Sequence, residues 1–220
     1  RVNYLGTLTA GNITIRSFKN VGGVSVGIGS AASLTAAGFI LFENNTVGGS
    51  ATNGFHGINL QGSATASKNI EFRDNAGGVG TSGSGHAVFI NNASVLTSSN
   101  ESIIFSDNVG ATGGNGVLFA GNIVAQQKVE FRNNVGGTNS GTSLGGHGVI
   151  FDSTTDVKAR DIEFIKNIGG SATGGTAGYG VLFLSTSSLD LSNMAEFREN
   201  VGGAGAIGGD GGSLSGGSGC

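Results

Sequence analysis

A Phe-x-x-Asn pattern recurs at nearly constant spacing along the whole chain, and no other feature limits the possible folds as tightly. Copies run Phe42 to Asn45, Phe72 to Asn75, Phe105 to Asn108, Phe131 to Asn134, Phe164 to Asn167 and Phe197 to Asn200. Most are followed by a small or apolar residue and glycine, as in Phe131-Arg132-Asn133-Asn134-Val135-Gly136-Gly137. Phe18-Lys19-Asn20-Val21-Gly22-Gly23 reads as a degenerate first copy, preceded by a strand signal at Ile13 and Ile15. Successive motif phenylalanines lie 30, 33, 26, 33 and 33 residues apart. Periods of about 20 to 50 residues belong to solenoids, propellers and arrays.

Within each period the sequence offers three short apolar pieces separated by turn residues. One unit reads Val149-Ile150-Phe151, Val157-Lys158-Ala159 and Ile162-Glu163-Phe164; the preceding one reads Val117-Leu118-Phe119, Ile123-Val124-Ala125 and Val129-Glu130-Phe131. Helical repeats need ten or more residues with apolar positions at i, i+3, i+4 and i+7, whereas these β-branched and aromatic residues come in runs of three or four. A propeller blade needs four strands in about 40 to 45 residues. The expectation is therefore an all-β chain folded as a right-handed parallel β-helix, since parallel crossovers are almost always right-handed. About seven coils of three short strands, roughly 4.8 Å each, make a rod roughly 34 Å long.

That architecture assigns a task to each motif residue. Alternate strand residues share a face, so Ile162 and Phe164 point inward and Glu163 and Ile165 outward. Stacked in register, Phe42, Phe72, Phe105, Phe131, Phe164 and Phe197 form an internal aromatic ladder, with an aliphatic ladder two residues earlier. Asn45, Asn75, Asn108, Asn134, Asn167 and Asn200 fall at the turn, where asparagine tolerates left-handed backbone and its amide can bond the same amide one coil on. The following glycines release the chain into Gly-rich loops along one edge, a surface free to carry specificity.

Composition narrows the function classes. The 220 residues form a single β-solenoid domain with a Gly/Ser-rich segment at 202–220; 44 glycines without proline or a three-residue period exclude collagen. A net charge of −3 with 11% charged residues supplies no basic surface for nucleic acid. No apolar run approaches the roughly 20 residues of a membrane helix, so no membrane insertion of this segment is expected. The one cysteine, Cys220, allows no internal disulfide; it is either a plain terminal thiol or a link between chains. No cofactor is implied.

Several groups of side chains could carry function. Glu71 with Arg73, Glu130 with Arg132, and Glu196 with Arg198 place opposite charges two apart on the outer face of the third strand, read as a Glu column beside an Arg column. His56, His86 and His147 occupy one position of their units, with Asn115 and Tyr179 at the equivalent places. They are a metal-binding column or a variable polar turn position. On the outer face of the first strand, Phe89, Leu118, Ile150 and Leu182 form an apolar stripe, to be covered by the Gly-rich loops or by a lateral partner. Asp152, Asp156, Lys158, Arg160 and Asp161 are the densest charged group; they read as a solvated strand and turn rather than converging acids. Gly202 to Ile207 begins like a calcium-binding nonapeptide but has Ile207 at the acid position, so no metal site is assigned there.

The six Phe-x-x-Asn copies alongside Gly-Gly segments, with Gly205-Ala206-Ile207 close to a Gly-Gly-Ala-(Ile/Leu/Val) motif, resemble the repeats of the chlamydial-type polymorphic outer membrane proteins. The resemblance implies a secreted or cell-surface β-helix, an autotransporter passenger acting in adhesion rather than catalysis, with a host-cell receptor or glycan as partner. A second expectation is a self-assembling filament subunit. Neither residues 1–11 nor 202–220 supply an evident cap, and uncapped β-helix ends can pair with other copies. A β-helical polysaccharide-processing enzyme is the remote third reading.

Overall fold

A computed structural model describes residues 2–21, 23–48, 55–79, 85–139, 144–152, 155–184 and 187–214. Cys220, the end of the Gly/Ser-rich tail and several loop tips lie outside the described residues.

Every strand pairing is parallel, and each strand pairs with its counterpart one unit away. The chain is an all-β solenoid with no helix among the described residues. The first strands, from Val2–Tyr4 through Val88–Ile90 to Val181–Phe183, form one ladder that Gly212–Leu214 extends. The second strands (Thr7–Ala10, Ser33–Ala36, Ser63–Ala66, Val95–Ser98, Asn122–Ala125) and the third (Ile13–Arg16, Ile40–Glu43, Ile70–Arg73, Ile103–Ser106, Lys128–Arg132) build the other large sheet. About six turns stack seven layers, slightly fewer turns than the seven coils expected. In the last two layers the second and third strands run together as Asp156–Ile165 and Ser188–Arg198, with a register shift between Ala159 and Asp161. A short fourth ladder, absent from the three-strand expectation, links Thr46, Ala76, Val109, Val135, Ile168 and Val201 just after the motif asparagine.

The register is the one the motif demands. Phe42, Phe72, Phe105, Phe131, Phe164 and Phe197 are directly paired, and consecutive rings stack with centroids 4.7 to 5.2 Å apart. That spacing is close to the distance between neighbouring strands, so backbone pairing and ring stacking reinforce each other. Phe119, Phe151 and Phe183 of the first strands meet this stack edge-on. Ile40, Ile70, Ile103, Val129 and Ile162 form the aliphatic ladder and are fully buried.

Beside the phenylalanines runs a buried amide ladder. The Asn134 amide donates to Asn167 Oδ1 at 3.0 Å and to the Phe105 carbonyl at 2.9 Å, while its own Oδ1 accepts from the Asn108 amide and the Asn108 backbone N–H. The same bonds recur from Asn45 to Asn200. These asparagines do not adopt the left-handed backbone expected of them. The residue before each one does: Asn44, Asp74, Asp107, Asn133, Lys166 and Glu199 have φ between 53° and 57°. The corner is turned one position early so that the next side chain swings inward to the ladder.

Ser17 is the equivalent corner in the first layer, and Ile15 pairs with Phe42. Phe18 therefore stands at the Asn45 rung, where its N–H donates to Asn45 Oδ1, and it is exposed. The apparent first copy, Phe18 to Gly23, is out of register with the others.

Candidate functional site

The Gly-rich loops leave and rejoin the solenoid through a neck made almost wholly of backbone. A chain of main-chain bonds zigzags along it: Ala111 N–H to Gly85 O, Gly114 N–H to Ala111 O, Gly137 N–H to Gly114 O, Gly146 N–H to Gly137 O, then Gly170, Gly178, Gly203 and Gly209 in the same alternation, at 2.5 to 3.2 Å. Bonds within a layer alternate with bonds between layers. A β-carbon on Gly136, Gly146, Gly170 or Gly178 would lie inside the van der Waals radius of a backbone carbonyl across the neck. Close approach, not flexibility, accounts for these glycines.

Beyond the neck the loops differ in length. Residues 79–84, 112–113, 138–145, 171–177 and 204–208 separate the paired neck positions. In the last three layers they add a small wing with its own parallel bridges, Asn139 to Ala172 and Thr176 to Ile207, and an open hollow lined by Thr138, Ser171, Thr173 and Ala206. Leu144 and Ile207 stand exposed on it.

Immediately after the returning neck residue comes the position of His56, His86, Asn115, His147 and Tyr179. The structure brings these into one column, with His56 and His86 stacked at 4.9 Å and His147 and Tyr179 at 5.6 Å. Each of the first four side chains accepts the backbone N–H of the same position one layer on. His56 Nδ1 accepts from His86 at 3.3 Å, His86 Nδ1 from Asn115 at 2.9 Å, Asn115 Oδ1 from His147 at 2.7 Å, and His147 Nδ1 from Tyr179 at 3.0 Å. An Nδ1 that accepts carries no proton, so these imidazoles are the neutral Nε2–H tautomer. Burial pushes His56 and His147 down to about 4; His86, buried and flanked by the other two histidines, falls to about 3. Neither sequence reading foresaw this column of acceptors. Among the described residues no three His, Cys, Asp or Glu side chains gather as a metal site.

Three residues further on is the first-strand stripe. Phe89, Leu118, Ile150 and Leu182 are paired in register; the first three are half-buried and Leu182 is buried. The Phe89 ring lies over His56 and His86. Upstream the same column holds Gly27 and Asn59, and Asn59 Oδ1 is a buried acceptor without a partner among the described residues. Its register neighbours Gly27 and Phe89 have no side-chain donor to offer.

The charged column on the third strand differs from the paired Glu and Arg columns expected. Glu130, Glu163 and Glu196 are consecutive, but the Arg column is interrupted by Ser106 and Ile165. Lys128 fills the deficit, bridging Glu130 at 2.7 Å and Glu163 at 3.0 Å. Burial alone would lower the Lys128 pKa, yet the hydrogen bonds to the two carboxylates outweigh it and the net shift is upward. The lysine's contribution is therefore present at neutral pH and is lost as the pH rises through its raised value. Lys128→Met is expected to cost about 1 to 2 kcal/mol at pH 7 in urea titrations, since Glu163 loses its cation and Glu130 keeps only Arg132, at 3.2 Å.

The charged group at 152–161 does not form one solvated strand and turn. Lys158 and Arg160 are exposed, but Asp161 is buried at the register shift, held by Arg160 Nε at 2.8 Å and the Asn193 amide at 2.6 Å. Arg160 foremost keeps its carboxyl below the usual range, against the opposing effect of burial. The acid is occupied in closing an irregular strand pair.

Neck, histidine column and apolar stripe thus form one continuous edge, on which the loops stand. No family model, characterised protein or solved structure matches the chain.

Proposed function

We propose that this chain is a non-enzymatic, extracellular surface rod whose loop edge makes adhesive contacts, the role implied by the resemblance of its repeats to polymorphic outer membrane proteins. One observation carries the reading. Loop length changes from layer to layer, between two and eight residues across the neck, while the Phe and Asn ladders beneath keep strict register. A scaffold that tolerates such variation along a single edge suits recognition there. The half-buried stripe at Phe89, Leu118 and Ile150 adds apolar area beside the loops, as an adhesive surface requires.

Shortening residues 138–145 to the two-residue span found at 112–113 provides the test. In a binding assay on host-type cells and a glycan panel, the shortened protein is expected to keep its far-UV circular dichroism and melting temperature and to lose at least tenfold in binding. Undiminished binding by variants shortened at each long loop in turn would refute the loop assignment. Loss on Ile150→Lys alone would transfer the contact to the stripe.

A further inference from the structure

We infer that the histidine column is an acid-sensitive seam: protonation of His56, His86 and His147 unpairs the loop edge from layer to layer while the solenoid core stays folded. This holds whether or not the loops bind a partner.

The device lies in the direction of the hydrogen bonds. Each imidazole Nδ1 accepts a main-chain N–H from the next layer. A proton on Nδ1 turns the acceptor into a donor aimed at another donor, so the bond cannot survive in the charged form. Among the described residues nothing nearby compensates the charge. His86 faces His56 on one side and Asn115 on the other; His147 faces Asn115 and Tyr179; Phe89 covers the first two rings. Among the described residues no ion pair reaches any of the three, and the charged neighbours that an imidazolium would meet are the other histidines. Protonation therefore requires the rung to open to water, where an imidazole titrates near its ordinary 6.5.

Opening is favoured progressively as pH falls below about 6.5 and saturates near the depressed values of the closed state, about 4 for His56 and His147. Each histidine directly follows a returning neck or loop residue, so a loosened rung loosens the backbone zigzag that holds the loop bases. The Phe and Asn ladders contain no titrating group and remain.

Asn115 supplies the control. It performs the same acceptor role through Oδ1, which does not titrate. Hydrogen exchange, corrected for intrinsic rates, is followed at pH 7.5 and 4.5 in the native chain and in His56→Asn/His86→Asn/His147→Asn. In the native chain the amides of His86, Asn115 and Tyr179 should lose protection by roughly 10- to 100-fold at the lower pH, the ratio set by a two-unit difference between closed and open pKa. Those of Asn75, Asn108 and Asn134 should change by less than threefold. The triple variant should show no differential loss. Undiminished protection of the native rung at pH 4.5 overturns the inference, as does an equal loss in the triple variant. If the triple variant misfolds, His147→Asn, beside the native Asn115, decides the matter at the Tyr179 amide alone.

Discussion

Replacing Asn134 with alanine is expected to lower the unfolding free energy by about 4 kcal/mol. The side chain is fully buried and takes part in four hydrogen bonds: two donated, to Asn167 Oδ1 and the Phe105 carbonyl, and two accepted from Asn108. A net value of about 1 kcal/mol per bond gives the total, and the Asn108 donors left unpaired in the core set a floor under it. For a chain of this size the melting temperature should fall by roughly 8 to 16 °C. Asn133→Ala is the natural comparison, because Asn133 holds the left-handed corner at φ 53° and its side-chain amide donates to Asp107. It should cost about 1 kcal/mol, because asparagine already carries a β-carbon and alanine loses only the bond to Asp107 and asparagine's tolerance of that conformation. Urea titration of both variants reads the difference. Equal losses would mean that the corner, not the ladder, carries the motif's energy. Loss of the proposed adhesion by a fully stable Asn134→Ala protein would contradict its assignment to scaffold.

Why the ladders could be read in the sequence, while the neck and the histidine column could not, has a physical answer. A ladder in a parallel stack repeats one residue type at one spacing, because like side chains satisfy one another across layers; Phe and Asn are both of this kind. The left-handed corner is filled by Ser17, Asn44, Asp74, Lys166 or Glu199, since only its backbone conformation matters, and no common side chain marks it. The histidine column is shared by His, Asn and Tyr positions. What unites His56, His86, Asn115 and His147 is an acceptor atom at one height, which residue names conceal. Phe18 misleads for the opposite reason: the local string imitates the motif, but Ile15 fixes the register through its pairing with Phe42. Asp161 looks solvated in a run of charges until the register shift opposite Ser192 and Asn193 turns it inward.

The glycines pose the sharpest case, because low-complexity sequence and a closely packed backbone neck look the same in one dimension. Gly146→Ala is expected to cost about 3 kcal/mol or more. The added β-carbon would meet the Gly114 carbonyl of the previous layer and lie 2.9 Å from Gly137 N. Both are backbone, so no side chain can move aside. Gly146 does not have a positive φ, so the cost is one of space and not of conformation. Three bonds of the zigzag converge on this point: Gly146 N–H to Gly137 O, Gly137 N–H to Gly114 O and Gly170 N–H to Gly146 O. Gly208→Ala separates the two views of these loops. Nothing lies within 4 Å of a β-carbon there and its φ is also unexceptional, so alanine should raise stability by about 0.5 kcal/mol by restricting the unfolded chain. Opposite signs for the two substitutions in one denaturation assay follow only if glycine at the neck is there for contact. If Gly146→Ala proved as harmless as Gly208→Ala, the edge would be a set of flexible connections, and neither a fixed neck nor a seam controlling it could exist.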